Sequence, residues 1–339
     1  MSGAVPAAIE VVVCTYNNAP MLDEMLSALG RQRPVDSGRW SCLVVNNNCT
    51  DETDAVVERH RQQGLIPGLR VVHETEQGLT PARLRGARST SAAWVAYVDD
   101  DCVLAPGWMA EAIACADRHP SAGAFGGKVT LDYEREPAGY VRAYAYSFAQ
   151  QDHGDAERKV PFLVGAGLVA SREALARCGW SDGPLVADRV GRQLVSGGDV
   201  EIVLRIASAG YDLWYVPACE LFHRIPARRT SLGYLTSINR GLGVSQSLAD
   251  ALVWDGSASR WASASGRKLL KELISLGRLV ISVARGRNAA AEIPIQASFR
   301  VGRALGISRV LRMPPERRRM LIGRARPSVR RDPAHPSAA

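Results

Sequence analysis

The sequence has no CxxC pair, although its 339 residues include seven cysteines. An odd, scattered set of thiols argues against a disulfide framework and against a zinc ribbon. It favours a reducing compartment, so we expect a cytoplasmic protein. The N-terminal segment also lacks basic residues ahead of its apolar stretch, which argues against a secretory signal peptide.

Long apolar runs are missing as well. No stretch of roughly 18 or more uncharged apolar residues occurs, and the nearest is interrupted by Arg278, so a membrane span is not expected. A GxGxxG fingerprint is absent after the first predicted strand, where TYNNAP stands instead, which disfavours a nicotinamide-dependent dehydrogenase. With 46% hydrophobic and 22% charged residues, the chain can nevertheless build a packed core.

The net charge of +8 is distributed unevenly along the chain. Residues 1–255 carry 24 basic and 30 acidic side chains, whereas residues 256–339 carry 18 basic and 4 acidic ones. A basic nucleic-acid-binding tail is expected to interleave aromatic side chains with its cations, and none occurs from Arg300 onward. We therefore expect no nucleic-acid partner.

The first hundred residues alternate between short apolar runs and helical patterns. Strands are predicted at residues 9–14, 40–45, 69–72 and 94–98, with helices between them at 21–29, 50–61 and 81–91. Further strands are predicted at 122–131 and 162–169, and long helices at 232–253, 269–284 and 295–311. This order predicts an α/β fold with an open, mostly parallel sheet flanked by helices, followed by a C-terminal helical extension.

Polar clusters follow the predicted strands at the edge where such sheets bind ligands. The clearest is Asp99–Asp101, because three adjacent carboxylates repel one another unless a cation is bound, and oxygen ligands suit Mg²⁺ or Mn²⁺. In an extended segment Asp99 and Asp101 share a face, and Asp100 points away. The alternative interpretation is a solvated acidic turn or a helix N-cap.

Two later residues are further candidates. Asp199 follows a glycine pair at the start of a predicted helix, where it is either a plain N-cap or a general base beside a glycine loop. His223 follows a short apolar strand. It is either a structural histidine or a group that completes a coordination shell or contacts a phosphate.

Seven segments together resemble family 2 glycosyltransferases of the GT-A fold, and they occur in that family's order. They are VVVCTYN (11–17), LVVNNNCTDET (43–53), GLTPARLRGA (78–87), WVAYVDDDCVLAPGWM (94–109), GAGLVASREAL (165–175), GGDVEIVLRIASAGYDLWYVP (197–217) and FH (222–223). The resemblance implies a GT-A catalytic domain over residues 1–225, with a nucleotide-sugar-binding half (1–115) and an acceptor half (116–225). A helical extension (226–312) and a basic, disordered tail (313–339) would follow.

The resemblance also implies roles for single residues. Donor-binding roles fall on Thr15, Tyr16, Asn17, Asn46, Arg83, Asp99 and Asp100. Metal-binding roles fall on Asp99, Asp101 and His223, and the role of catalytic base on Asp199. Gly165, Gly167, Glu201 and Arg224 are expected on the acceptor side. Two positions depart from the family pattern: Asn46 replaces its usual aspartate, and Leu84 replaces its asparagine.

The implied activity is that of an inverting glycosyltransferase dependent on Mn²⁺ or Mg²⁺. It would move a sugar from a nucleotide-diphosphate sugar, with UDP as the expected nucleotide, to a saccharide or lipid-linked acceptor in bacterial-type glycan or glycoconjugate assembly. The alternatives are a retaining glycosyltransferase, a sugar nucleotidyltransferase on a similar sheet, and a non-catalytic basic binding module. Residues 260–339 either pack on the catalytic domain or make a peripheral contact at the inner face of a membrane.

Overall fold

The computed structural model describes residues 8–185, 197–286 and 290–322. Its N-terminal part alternates strands and helices in the predicted order. The elements are β1 (Ile9–Thr15), α1 (Ala19–Gly30), β2 (Trp40–Asn46), α2 (Thr53–Gln63), β3 (Arg70–His73), α3 (Leu79–Arg88), β4 (Trp94–Tyr97), β5 (Cys102–Leu104) and α4 (Trp108–Arg118). Strand β1 contains the β-branched run Val11–Val13, and both of its faces are buried, as is typical of a strand inside a parallel sheet.

The middle of the chain is less regular. It contains β6 (Ala124–Gly126), β7 (Val129–Tyr133), α5 (Gly139–Arg142), a short 3-10 helix (Ala145–Phe148), β8 (Arg158–Lys159), β9 (Leu168–Ser171), α6 (Arg172–Arg177), α7 (Gly198–Ser208), β10 (Leu213–Tyr215), β11 (Leu221–Ile225) and a second 3-10 helix (Ala227–Thr230). The C-terminal helices are α8 (Leu232–Leu252), α9 (Ala258–Ala284), α10 (Glu292–Arg312) and α11 (Pro315–Leu321).

The described strands form one large and one small sheet. The large sheet has the order β3-β2-β1-β4-β9-β6-β10-β8. The pairs β3-β2, β2-β1, β1-β4 and β6-β10 are parallel, whereas β9 and β8 run antiparallel to their neighbours. In the small sheet β11 lies between β5 and β7. The predicted α/β class and its mostly parallel, helix-flanked sheet are confirmed.

The core lies on both faces of the large sheet, and β1 shows how its strands contribute to it. Val11 and Val13 pack in a cluster with residues of α1 and α4, whereas Val12 between them packs in a second cluster with residues of α3 and α7. Alternate side chains of a strand point to opposite faces, so the sheet needs helices on both sides. At Gly86 in α3, an added Cβ would lie 2.3 Å from Val12, which shows how closely this helix approaches the sheet.

Two predicted strands are shorter than expected, and in both cases glycine backbone explains the difference. The strand predicted at 122–131 is divided between the two sheets at Gly127, where an added Cβ would lie 1.7 Å from the carbonyl oxygen of Cys219. The strand predicted at 162–169 begins only at Leu168, because Gly167 before it has a left-handed conformation with φ 71°. Neither feature alters the order of elements.

The helical extension packs through small residues. An added Cβ at Gly302 of α10 would lie 1.9 Å from the carbonyl oxygen of Arg240 in α8, and one at Gly243 would lie 2.0 Å from that of Phe299. The backbones of α8 and α10 therefore approach more closely than larger side chains would permit. Helix α9 begins earlier than predicted, since Ser257 caps it by accepting a hydrogen bond from the Arg260 amide at 3.4 Å.

The disorder expected from residue 313 onward is wrong for the segment that forms α11. Pro315 stands in the first turn of this helix, where the missing amide hydrogen costs nothing. Leu321 and Ile322 pack against the apolar cluster that also contains Trp261 and Val310. The remaining predicted tail, 323–339, lies outside the described residues. None of the described helices combines the length and the hydropathy that a membrane span requires.

Candidate active site

The polar segments that follow the strands meet at one edge of the large sheet. Thr15, the last residue of β1, pairs with Asn46 at the end of β2, and β4 runs parallel to β1 on its other side. Tyr97 at the end of β4 lies opposite Leu168 at the start of antiparallel β9. The 165–167 turn therefore lies beside the turn that follows β4, which is formed by Asp99–Asp101 and is called the acidic turn below.

Asp100 is directed toward the end of β1. Its carboxylate accepts hydrogen bonds from Thr15 Oγ1 at 2.6 Å and from Asn18 Nδ2 at 2.8 Å. Burial raises the pKa of Asp100 to about 7, and the neighbouring charge of Asp101 acts in the same direction. Asp100 thus connects the acidic turn to the β1 loop.

Asp99 and Asp101 are brought together, as the sequence predicted. A carboxylate oxygen of each and the sulfur of Cys102 all lie within 4.8 Å of one another. The segment forms a turn rather than the extended strand on which that expectation rested. Burial raises the pKa of the Cys102 thiol well above its usual range, so the thiol stays protonated and is a poor ligand.

Two basic side chains lie beside Asp101. Nη1 of Arg229 lies 2.7 Å from its Oδ2, and Nε2 of His223 lies 3.4 Å from its Oδ1. Burial alone would raise the pKa of Asp101, but His223 and Arg229 outweigh it and hold this pKa well below its usual range. Asp101 is therefore ionised at neutral pH.

His223 lies in β11 opposite Cys102 of β5, which places its ring beside the acidic turn. Its Nδ1 is 2.8 Å from the carbonyl oxygen of Phe148. A carbonyl only accepts hydrogen bonds, so Nδ1 carries the proton and Nε2 is the atom directed at Asp101. Burial by itself lowers the pKa of His223, but the charge of Asp101 outweighs it and raises that pKa.

These groups fit a divalent cation. The carboxylates of Asp99 and Asp101 offer oxygen ligands of the kind that Mn²⁺ and Mg²⁺ prefer. Nε2 of His223, whose Nδ1 is fixed by a backbone carbonyl, lies 3.4 Å from the Asp101 carboxylate and could add a nitrogen ligand. Arg83 of α3 adds a buried cation beside Asp99. Its Nη2 lies 3.4 Å from Asp99 Oδ1, and its guanidinium carbon is 5.9 Å from the centre of the Tyr97 ring.

The side chain of Asn46 is engaged within the protein. Its Oδ1 accepts a hydrogen bond from the Cys49 amide at 2.8 Å, and its Nδ2 donates to Asp54 Oδ1 at 2.8 Å. An ionised aspartate at this position could not donate a hydrogen bond to Asp54. The asparagine that replaces the family's usual aspartate is therefore suited to its neighbour Asp54. Asp54 in turn lies 3.1 Å from Nε2 of His73.

Asn47, which the sequence had not singled out, orders the segment that leads to α3. Its Nδ2 donates to the carbonyl oxygens of Glu74 and Glu76 at 3.0 and 2.7 Å, and its Oδ1 accepts from the Gly78 amide at 2.8 Å. The neighbouring β1 loop is ordered by Asn17, whose Oδ1 accepts from the Thr50 amide at 2.7 Å. The Tyr16 side chain, by contrast, is 47% exposed.

Asp199 lies in the first turn of α7 and contacts the 165–167 turn. Its Oδ2 accepts a hydrogen bond from the Gly165 amide at 3.1 Å. Its Oδ1 is buried and has no hydrogen-bond partner among the described residues. A buried carboxylate oxygen without a partner is costly, and such atoms occur where a ligand donates to them.

The chain matches the family model described as glycosyl transferase family 2 over residues 10–179, half of its length. It belongs to this family. The matched region contains β1 to β9 and the acidic turn, and the protein is accordingly a glycosyltransferase.

Two relatives of this glycosyltransferase have names that include a lipid-linked sugar. The N-acetylglucosaminyl-diphospho-decaprenol L-rhamnosyltransferase of Mycobacterium tuberculosis is 28% identical over 245 residues, 63% of this chain and 75% of the relative. The glucosyl-dolichyl phosphate glucuronosyltransferase of Haloferax volcanii is 24% identical over 254 residues, 72% of this chain and 78% of the relative.

Solved structures share the fold of the glycosyltransferase. A mannosyltransferase from Pyrobaculum calidifontis, in complex with GDP-Man and Mn²⁺, superposes with a TM-score of 0.58 at 20% identity, over 90% of this chain and 89% of the other. GalNAc-T7 with UDP, GalNAc and Mn²⁺ superposes with a TM-score of 0.50 at 15% identity, over 73% of this chain and 50% of the other. The GT-A fold expected from the sequence is thereby confirmed.

Two residues expected on the acceptor side of the glycosyltransferase are engaged in ion pairs. Glu201 is 1% exposed, accepts a hydrogen bond from the Leu185 amide at 2.8 Å and pairs with Arg205 at 2.7 Å, so its carboxylate has a structural role inside the fold. Arg224 pairs with Glu24 and Asp132. Residues 186–196, which precede α7, lie outside the described residues.

Proposed function

We propose that the enzyme transfers a sugar from a nucleotide-diphosphate sugar to an acceptor hydroxyl with inversion, and that Asp199 is its general base. The observation that carries this proposal is the buried Oδ1 of Asp199, which has no hydrogen-bond partner in the described part of the chain and lies at the sheet edge that also holds the acidic turn. A base must lie within hydrogen-bond reach of the proton that it accepts, and this oxygen is available to an entering hydroxyl.

The proposed displacement takes place in one step. The acceptor hydroxyl donates its proton to Oδ1 of Asp199 while its oxygen forms a bond to the anomeric carbon. The bond from that carbon to the diphosphate breaks on the opposite face, and the electron pair leaves with the diphosphate. The Gly165 amide holds Oδ2 of Asp199 and so fixes the direction in which the carboxylate presents Oδ1.

At the donor end, we propose that Asp99, Asp101 and His223 hold a divalent cation, with Mn²⁺ the first choice and Mg²⁺ the second. When bound, such a cation neutralises charge on the departing diphosphate. Arg83, which is buried beside Asp99, contributes a second positive charge near the same oxygens. Thr15 and Asn18 hold Asp100 and thereby keep the acidic turn against the β1 loop.

The nucleotide would lie over the loop after β1, where Tyr16 and Asn17 occur, and over the end of β2, where Asn46 occurs. UDP is the first nucleotide to test. The names of the rhamnosyltransferase and the glucuronosyltransferase support a lipid-linked acceptor. All seven cysteines are free thiols, which supports action in a reducing, cytoplasmic compartment.

The proposal is tested with a panel of nucleotide sugars and a polyprenyl-linked sugar acceptor. Transfer is measured with Mn²⁺, with Mg²⁺ and with a chelator, and the anomeric configuration of the product is read by NMR. We expect metal-dependent transfer with inversion. A product that retains the donor configuration would overturn the assignment of Asp199. Formation of nucleotide sugar from a sugar phosphate and a nucleoside triphosphate would identify a nucleotidyltransferase instead.

A further inference from the structure

Helix α9 exposes a row of large apolar side chains that the described protein does not cover. We call Leu270, Leu273, Ile274, Val280 and Ile281 the outer face of α9; their exposed fractions lie between 45% and 60%. In a helix of 27 residues, only Trp261 and Ser265 are buried. Exposed apolar groups in a continuous row mark an interaction surface more often than scattered ones do.

The orientation of α9 is fixed by contacts on its other side. Lys268 pairs with Asp250 of α8 at 3.2 Å, and Glu272 lies 3.4 Å from Nε of the buried Arg303 in α10. The carbonyl oxygen of Glu272 also accepts a hydrogen bond from Arg300 at 2.7 Å. These contacts turn the outer face away from α8 and α10.

Basic residues border the outer face on one side. At about 100° per residue, the five apolar residues fall on one arc of the helix, and the next arc holds Arg267, Lys271, Arg278 and Arg285, all exposed. Glu272, the one acidic residue of α9, lies on the inner side with Arg303. An apolar stripe flanked by cations, without acidic residues, fits an anionic lipid surface.

Self-association through this face is less favourable. Two copies that pack their outer faces together in an antiparallel pair would also bring their rows of arginine and lysine close to each other, and like charges in a contact repel. Lysine is moreover depleted in the cores of protein interfaces. The charge pattern therefore favours lipid headgroups over a second copy of the chain.

We propose that the outer face of α9 binds an anionic bilayer surface, with the helix lying along the membrane plane. At about 1.5 Å per residue, α9 offers a contact roughly 40 Å long. The inference rests on the proposed function, because a membrane surface serves this enzyme only if its acceptor is lipid-linked. Its test uses neither donor nor acceptor, so it can fail while the proposed transfer stands.

The test is flotation of the full-length protein with two kinds of vesicle, one of phosphatidylcholine alone and one of phosphatidylcholine mixed with phosphatidylglycerol. We expect binding to the mixed vesicles at low salt and much weaker binding at high salt or to the neutral vesicles. Absence of flotation with anionic vesicles at low salt would overturn the proposal.

Two sets of variants locate the contact. The apolar set is Leu270→Ser, Ile274→Ser and Ile281→Ser combined, with Leu65→Ser, an equally exposed leucine of the catalytic domain, as the control. We expect the triple variant to lose flotation and the control to keep it. Equal flotation of both proteins would show that lipid binds elsewhere.

The basic set is Arg267→Gln, Lys271→Gln and Arg278→Gln combined. Because each basic residue near an anionic surface contributes on the order of a few-fold in affinity, we expect binding to weaken on the order of 100-fold. The control replaces three exposed arginines of the catalytic domain: Arg31→Gln, Arg61→Gln and Arg177→Gln. Unaltered melting temperatures exclude unfolding. A wild-type protein that dimerises in sedimentation but does not float would assign the face to self-association.

Discussion

Oδ2 of Asp199 accepts a hydrogen bond from the Gly165 amide at 3.1 Å, while Oδ1 of the same carboxylate is buried without a described partner. This contact explains the glycine. A Cβ added at residue 165 would lie 2.4 Å from Oδ2 and 2.5 Å from Cβ of Asp199, so only glycine permits the approach. The orientation of the proposed base is therefore set by the 165–167 turn as well as by helix α7.

The first prediction concerns Asp199→Asn. The amide oxygen can still accept from Gly165, so the fold and the affinity for donor should be preserved. The amide does not accept the acceptor's proton, so transfer should fall by about 10²–10⁴-fold. Transfer kinetics and donor calorimetry check this. Near-normal transfer by the variant would contradict the assignment of Asp199 as base.

The second prediction concerns Gly165→Ala, which forces the Asp199 carboxylate to move. A displacement of about 1 Å in a positioned group can cost on the order of 100-fold in rate. We expect kcat to fall by roughly that factor and donor affinity to stay unchanged. Gly139→Ala is the matched control, because an added Cβ there meets nothing within 4 Å. Equal losses in both variants would argue against a positioning role.

The order of the elements and the acidic turn could be predicted from local sequence. A β-branched run marks β1, and the position of Asp99 and Asp101 after an apolar strand indicated their place at the sheet edge. These signals depend on residues near one another in the chain, so periodicity and strand ends reveal them.

The partners of the acidic turn could not be predicted in the same way. Arg229 is 128 positions from Asp101 in the sequence. Arg224 and Arg228 stand close to Arg229 along the chain, and nothing in the sequence showed which of the three would reach Asp101. The atom of Phe148 that holds His223 is a backbone carbonyl, which every residue possesses. The division of the predicted strand at Gly127 likewise arises from a tertiary contact with Cys219.

The third prediction concerns metal binding in Asp101→Asn. The substitution keeps the shape of the side chain but removes one charged ligand, so affinity for Mn²⁺ should fall by at least ~10-fold. Loss of a residue that only supports a metal ligand already costs about this much. Calorimetry with Mn²⁺ measures this. The control is Asp117→Asn, an exposed carboxylate paired with Arg39. Wild-type affinity in the Asp101 variant would reject its role as a ligand.

The fourth prediction concerns Arg229→Gln. Because Arg229 pairs with Oδ2 of Asp101 at 2.7 Å, a cation that uses this oxygen must displace a charge-assisted hydrogen bond. Removing the guanidinium should tighten Mn²⁺ binding to the donor-free enzyme by about tenfold. Calorimetry under the same conditions checks the direction, and weaker binding by the variant would show that Arg229 supports the site rather than competes for it.

The fifth prediction compares two glycines of the helical extension. Gly302→Ala places a Cβ 1.9 Å from the carbonyl oxygen of Arg240, so α8 and α10 must separate. Overpacking of this kind should lower the free energy of unfolding by about 1–3 kcal/mol. Gly277→Ala on exposed α9 meets nothing within 4 Å, and alanine favours the helix, so stability should rise by up to about 1 kcal/mol. Denaturant titration of both variants checks the opposite signs. If both variants were stabilised, α8 and α10 would not pack as closely as their glycines indicate.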